Sequence, residues 1–225
     1  MRPPIYNLSL KELISFLEQN KEPSFRAKQI WRWLYVQKVS SWDEMRNIPA
    51  PLQQKLSQDF TLTSAALTET SSSDDYTSKL LVELTSDSER VEEVIIPIAG
   101  KRATVCISSQ AGCRFQCAFC ASGKAGLSRN LEPGEMTSQV ILAMRETTEP
   151  ITNVVFMGIG EPFDNYDNVL KAAHTINDHD GLNIGARKIT ISTCGIIPGI
   201  KKLADEDAQF ELSISLHASD NDLRS

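Results

Sequence analysis

Apolar positions change their period along this chain, and the change divides it. Over residues 1–62 they recur every three or four positions, as on the buried stripe of a helix. Leu10, Leu13, Ile14 and Leu17 form one stripe. Ser9, with Glu12 three residues later, opens it as a reciprocal cap. A second helix is predicted from Phe25 to Gln37, with Ala27, Ile30 and Leu34 on its buried face and Lys28 and Arg32 on the other. That polar face is either a solvated surface or an RNA-facing one, and periodicity alone favours the solvated surface. Pro49 and Pro51 open a third helix that runs to Asp59. Residues 1–62 therefore read as a small helical domain.

Residues 63–100 read as a linker with short strands. The Ser- and Asp-rich stretch TETSSSDDY (68–76) has turn chemistry and is predicted to be a loop. LTSAALTE and SKLLVELTS flank it as strands, and ERVEEVIIPI (89–98) is another, ended by Pro97 and Gly100. From residue 101 strands and helices alternate. Strands are predicted at 103–108, 152–158, 187–193 and 209–217, and helices at 135–149, 166–177 and from Pro198 to Ala204. This rhythm predicts an α/β fold, a parallel sheet with right-handed helical crossovers. The chain stops at Arg224-Ser225, just after the fourth strand of that series, and a parallel strand without a covering helix leaves an open edge. A fold cut off part-way is the expectation.

Composition narrows the class. The chain has 225 residues, 41% hydrophobic and 23% charged, values that exclude wholesale disorder. No apolar run approaches the ~20 residues of a membrane span, and MRPPIYNLSLKEL has no secretory apolar core. A cytoplasmic protein without a membrane partner is expected. The net charge of −6 argues against a uniformly basic nucleic-acid coat. Residues 101–130 differ: Lys101, Arg102, Arg114, Lys124 and Arg129 occur there without any acid, a local patch suited to an anion or simply a group of solvated cations.

Four of the five cysteines fall in that same patch. Cys113, Cys117 and Cys120 form C-x3-C-x2-C in a loop after the first strand of the α/β series, between Gly112 and Gly123. Clustered cysteines without a secretory signal suggest metal or redox chemistry. Three thiolates can hold three irons of a cubane and leave the fourth iron open. A closed zinc site wants four ligands, and His174, His179 and His217 all lie far along the chain. Zinc and a trio of buried cysteines remain the weaker alternatives. MGIGEPF (157–163) is not a dinucleotide fingerprint, because Pro162 interrupts the turn and Phe163 stands at the third glycine position.

An aromatic residue before the last cysteine completes a pattern that resembles the radical S-adenosylmethionine (SAM) superfamily. FRAKQIWRWLY, VEEVIIP, CISSQAGCRFQCAFCASG, NVVFMGIGEPFDNYDNV, ITISTCG and LSISLHAS are together similar to the RlmN-type and Cfr-type rRNA adenine methyltransferases. The resemblance implies a partial (βα) radical SAM barrel over residues 101–225, its first four βα units, preceded by an RNA-facing accessory domain. It implies a [4Fe-4S] cluster on Cys113, Cys117 and Cys120. It also implies a SAM site at Gly160, Glu161, Ser192, Ser215, Leu216 and His217. Cys106 is implied as the cysteine that resolves an enzyme–RNA adduct, its thiolate favoured by Lys101 and Arg102. Read without the family it is a buried core cysteine. Glu93 is implied as the proton acceptor and is otherwise a strand carboxylate beside Glu92. Cys194 is left to packing.

The implied reaction methylates C2 of an adenine in 23S rRNA, and in bacterial members an adenine of tRNA. Cfr-type relatives act at C8. One SAM methylates a cysteine near the C-terminus, and a second SAM gives a radical that activates this methyl group for addition to the adenine. The resemblance places that methyl-carrying cysteine beyond residue 225, so this chain is expected to be inactive alone unless a separate C-terminal half supplies it. A reducing electron donor is a further implied partner. A different radical SAM reaction and a non-catalytic RNA-binding fragment are the alternatives.

Overall fold

The computed structural model describes residues 2–98, 102–115, 117–218 and 220. Gly100, Lys101 and the chain end at Arg224-Ser225 lie outside the described residues. The N-terminal region holds three helices, α1 (Leu10–Gln19), α2 (Phe25–Tyr35) and α3 (Ala50–Asp59). The predicted cap of α1 is present: the Ser9 side chain accepts from the Glu12 N–H, and Glu12 accepts from the Ser9 N–H at 2.6 Å. Leu13, Leu17, Ala27, Ile30, Trp31 and Leu34 bury against one another in a second core, which also takes in Ile141.

The short strands expected within residues 63–100 are present and belong to the main sheet. β1 (Ala65–Ser72), β2 (Ser78–Leu84) and β3 (Arg90–Ile98) pair antiparallel with one another. They continue into β4 (Arg102–Cys106), so TETSSSDDY is mostly strand, with its turn beginning only after Ser72. β1 shows water a nearly unbroken polar face, and pairing with β2, not propensity, makes it a strand.

After β4 a short hairpin, β5 (Gln110–Gly112) and β6 (Leu127–Asn130), ties together the two ends of the cysteine loop. α4 (Pro133–Glu146), β7 (Ile151–Phe156), α5 (Tyr166–Asn177), β8 (Ile189–Thr193), α6 (Ile197–Ala204) and β9 (Glu211–Ile214) follow. One seven-stranded sheet results, in the order β1-β2-β3-β4-β7-β8-β9. β4, β7, β8 and β9 are mutually parallel, as the alternating pattern requires.

Alternation within the strands gives each face its task. Val82, Val91, Ile95, Val105, Val154 and Ile191 pack in the main core with α4 and α5 residues such as Val140 and Val169. The opposite face carries Cys106 and, at the strand ends, the candidate site. The N-terminal domain is fastened to the outer helices. Asn7 donates to Glu132 at 2.6 Å and accepts from the Gly134 N–H at 2.9 Å. Trp31 Nε1 donates to Asp178 at 3.0 Å. Lys28, on the face read as solvated, pairs with Asp180 at 2.9 Å, while Arg32 is exposed. No helix among the described residues is long and apolar enough to cross a membrane.

Candidate cluster and SAM site

Three strand ends and one loop enclose a cavity of about 360 Å³. The loop contributes Cys113, Cys117, Cys120, Phe115 and Phe119; the strand ends contribute Met157, Gly160, Glu161, Ser192, Thr193, Cys194, Ser213, Ser215 and His217. Ligands of an open α/β sheet bind outside the carboxyl ends of its strands, and this cavity lies there.

The loop starts and ends at glycines for a steric reason. Gly112 has φ +76°, and a Cβ on it would lie 1.9 Å from the Gly126 carbonyl oxygen. That carbonyl accepts from the Cys113 N–H at 2.9 Å, which closes the loop at its base. Cys113 is buried, Cys117 and Cys120 are half-buried, and none of the five cysteines is in a disulfide. Burial pushes the Cys113 thiol up, as do the neighbouring Cys117, Cys120 and Glu161. Among the described residues no three Cys, His, Asp or Glu side chains converge as a single metal ion would need. All three thiols line the same cavity, and a cubane takes one thiolate at each of three corners.

Glu161 is buried, and each of its oxygens accepts one hydrogen bond. Its Oε1 accepts from the Phe163 N–H at 3.0 Å and its Oε2 from the Cys194 N–H at 2.7 Å. These bonds orient a carboxylate into the cavity and leave it lone pairs for a cationic amine. Ser192 and Ser215 face each other across β8 and the end of β9, with their hydroxyl oxygens 3.3 Å apart. The His217 ring lies over Phe119, centroids 3.7 Å apart, and joins the end of the β9 segment to the cysteine loop. Leu216 is not among the lining residues; its side chain is exposed. Cys194 does more than pack: it lines the cavity, and burial followed by its contact with Glu161 pushes its thiol up to about 12.

Cys106 lies on the cavity face of the sheet. It pairs with Val155 of β7, and Met157 two residues further on lines the cavity. Burial pushes its thiol up, opposed by a hydrogen bond from the Met157 N–H. Arg102 sits ~13 Å away along an extended strand and is exposed, so it does not favour the thiolate as expected; Lys101 lies outside the described residues.

Glu93 does not share that face with Cys106. Val94 is the direct partner of Cys106, so these two share a face, and Glu93 points the other way. It is completely buried on the helix-covered side, neither carboxyl oxygen has a hydrogen-bond partner, and burial with nearby Glu146 pushes its pKa well above the ordinary range. Glu92 instead lies on the Cys106 face, is accessible, and pairs with Lys79 at 3.0 Å.

The basic patch is also partly internal. Arg114 pairs with Asp164 at 2.9 Å, and Arg129 grips Asp87 and the buried Glu135.

Comparison with known proteins agrees with this geometry. Residues 107–225 match the radical SAM superfamily model, more than half of the chain. This chain belongs to the radical SAM superfamily. Within it the similarity is to RlmN-type proteins: residues 4–62 match the ribosomal RNA large subunit methyltransferase N-terminal domain. A probable dual-specificity RNA methyltransferase RlmN from Clostridium novyi is 45% identical over 98% of this chain and 64% of its own length. Its counterpart from Bacillus velezensis is 46% identical, over 62% of its length. A crystal structure of a radical SAM methyltransferase from Sphaerobacter thermophilus superposes with TM-score 0.92 at 40% identity, covering 99% of this chain and 66% of that one. The chain thus spans somewhat under two thirds of the length of the curated relatives it matches. The superfamily's cofactors are a [4Fe-4S] cluster and SAM, and the three thiols and the buried carboxylate sharing one cavity fit both.

Proposed function

We propose that this chain is the cofactor-binding portion of a cytoplasmic radical SAM methyltransferase that methylates C2 of an adenine in 23S rRNA, with tRNA as a second substrate. The observation that carries the reading is the single cavity shared by Cys113, Cys117, Cys120, Glu161, Ser192 and Ser215. It is joined to a helical domain of rRNA-methyltransferase type.

Cys113, Cys117 and Cys120 would hold the cluster and leave one corner for the amino-acid end of SAM. When bound, the cluster and SAM supply a 5′-deoxyadenosyl radical once an electron donor reduces the cluster. Glu161 takes the ammonium of SAM, oriented by the N–H groups of Phe163 and Cys194. Gly160, Ser192, Ser215 and His217 line the remainder.

Cys106, on the same face, is the thiol that attacks the sulfur of the thioether joining the methyl-carrying cysteine to the RNA: an S–S bond forms, the S–CH2 bond breaks, and its electron pair goes to the methylene carbon, which takes up a proton to become the methyl group. The raised pKa of Cys106 means that it must give up a proton to act. Proton acceptance belongs to Glu92, which shares the sheet face of Val94 and its partner Cys106; the Ser108 hydroxyl donates to the Glu92 backbone carbonyl at 2.6 Å. The methyl-carrying cysteine would come from the segment that the longer relatives possess, and β9, the edge strand among the described residues, offers a place for it.

The test is transfer of a tritiated methyl group from SAM to a 23S rRNA fragment, with and without that C-terminal segment supplied. Label at adenine C2 only when the segment is present supports the reading. Cofactor loading without label in RNA under either condition overturns the substrate assignment.

A further inference from the structure

Gln110 belongs to the short strand at the base of the cysteine loop and is completely buried. Its side-chain amide makes three hydrogen bonds. Nε2 donates to Asn130 Oδ1 at 2.7 Å and to Asp164 Oδ2 at 2.8 Å. Oε1 accepts from the Glu161 N–H at 2.8 Å. Each partner stands in a different part of the site. Asn130 ends β6, the strand that returns from the cysteine loop. Asp164 follows Glu161 in the next turn and also pairs with Arg114, the residue after Cys113. Glu161 is the carboxylate of the cavity.

Gly160 is shaped to the same residue. It has φ +110°, and a Cβ there would lie 2.7 Å from the Gln110 Cβ and 2.8 Å from its backbone nitrogen. The Gly160-Glu161 turn therefore lies directly on Gln110. Both donor directions and the acceptor of the amide are used, which fixes its rotamer.

We propose that Gln110 is a positioning residue for SAM, locking the Glu161 turn to the cysteine loop. The proposal rests on Glu161 as the partner of the SAM amine. A ligand held at one end by the cluster and by Glu161 needs the two fixed relative to each other to roughly 0.5 Å. Without the Gln110 bridge the loop can still close through its glycines and bind iron, but the carboxylate loses its register with it.

The experiment compares the wild-type chain with Gln110→Met, which removes every polar contact at similar volume. Both are reconstituted anaerobically, and iron and sulfide content, melting temperature and SAM affinity are measured. Affinity is read from the change that SAM makes in the electron paramagnetic resonance (EPR) spectrum of the reduced cluster. The expected result is unchanged iron and sulfide with SAM binding weakened by about tenfold or more, the effect of losing one buried hydrogen bond to a critical group. Full loading with SAM affinity within about twofold of wild type overturns the proposal. A wild-type chain that takes up no cluster would instead sink the reading of the cavity.

Should the methionine variant fail to load, a second pair decides. Gln110→Glu keeps the acceptor for Glu161 but faces Asp164 without a donor, and adding Asp164→Asn restores one. Recovery of SAM affinity in the double variant supports the bridge, and no recovery overturns it.

Discussion

Val94 and Cys106 are direct partners across the β3–β4 ladder, and this register turns the neighbouring Glu93 away from the cavity. Two carboxylates adjacent in sequence thus lie in opposite environments: Glu92 accessible on the thiol's face, Glu93 sealed under α4. Glu92→Gln is predicted to depress RNA methylation strongly, and Glu93→Gln to leave it near wild type. The assay is labelled-methyl transfer with the C-terminal segment supplied. Equal loss in both variants would reject the assignment.

Glu93 also makes a stability prediction. Its pKa lies above the ordinary 4.5, so the folded state binds a proton more tightly than the unfolded one. Its penalty is absent below about pH 4.5 and grows as pH rises toward the raised value. Glu93→Gln should therefore match wild type near pH 4 and be more stable at pH 7. Urea midpoints at the two pH values measure this, and a destabilised Gln variant at pH 7 would show that the carboxylate has a partner.

The Arg129 clamp predicts the opposite sign. Hydrogen bonds from Arg129 hold Asp87 down to about 2. A depressed carboxyl stabilises the fold above its ordinary 3.8, and that contribution disappears as pH falls toward about 2. Asp87→Asn should lower the urea midpoint at pH 7, with the difference from wild type closing below about pH 3. Asp87 is largely exposed, so the effect is expected to be small and weakened by salt.

Gly112→Ala is predicted to be severe, because its Cβ would meet the Gly126 carbonyl and φ is +76°. A cost of about 2 kcal/mol or more is expected, together with loss of iron binding. Gly185→Ala, which meets nothing within 4 Å, is the control. Thermal melts and iron content after reconstitution distinguish them.

What was legible in the sequence was local chemistry. Ser9 and Glu12 cap α1, and α5 spans Tyr166–Asn177 as its apolar period indicates. The cysteine spacing pointed to the loop. The three strands of residues 63–100 are legible, but the strand character of 68–72 is not, because β1 is polar on nearly every exposed position and is held by its partner; nor does the pattern show that these strands extend the main sheet. The β5–β6 hairpin is only three and four residues long, too short for a period, although Gly112 and Gly126 were its available signal. Glu93 was misplaced because a strand's face depends on register, and a slip of one residue reverses it. Gln110 carried no signal except its place beside the loop, since its three partners are distant in sequence.

The most direct test of the account is metal and sulfide analysis of the chain reconstituted without oxygen, together with Cys113→Ala, Cys117→Ala and Cys120→Ala variants. About four iron and four sulfide per wild-type chain are predicted, with a reduced-cluster EPR spectrum that changes on adding SAM and loss of the cluster in each variant. Stoichiometric zinc without inorganic sulfide in the wild-type chain would contradict it.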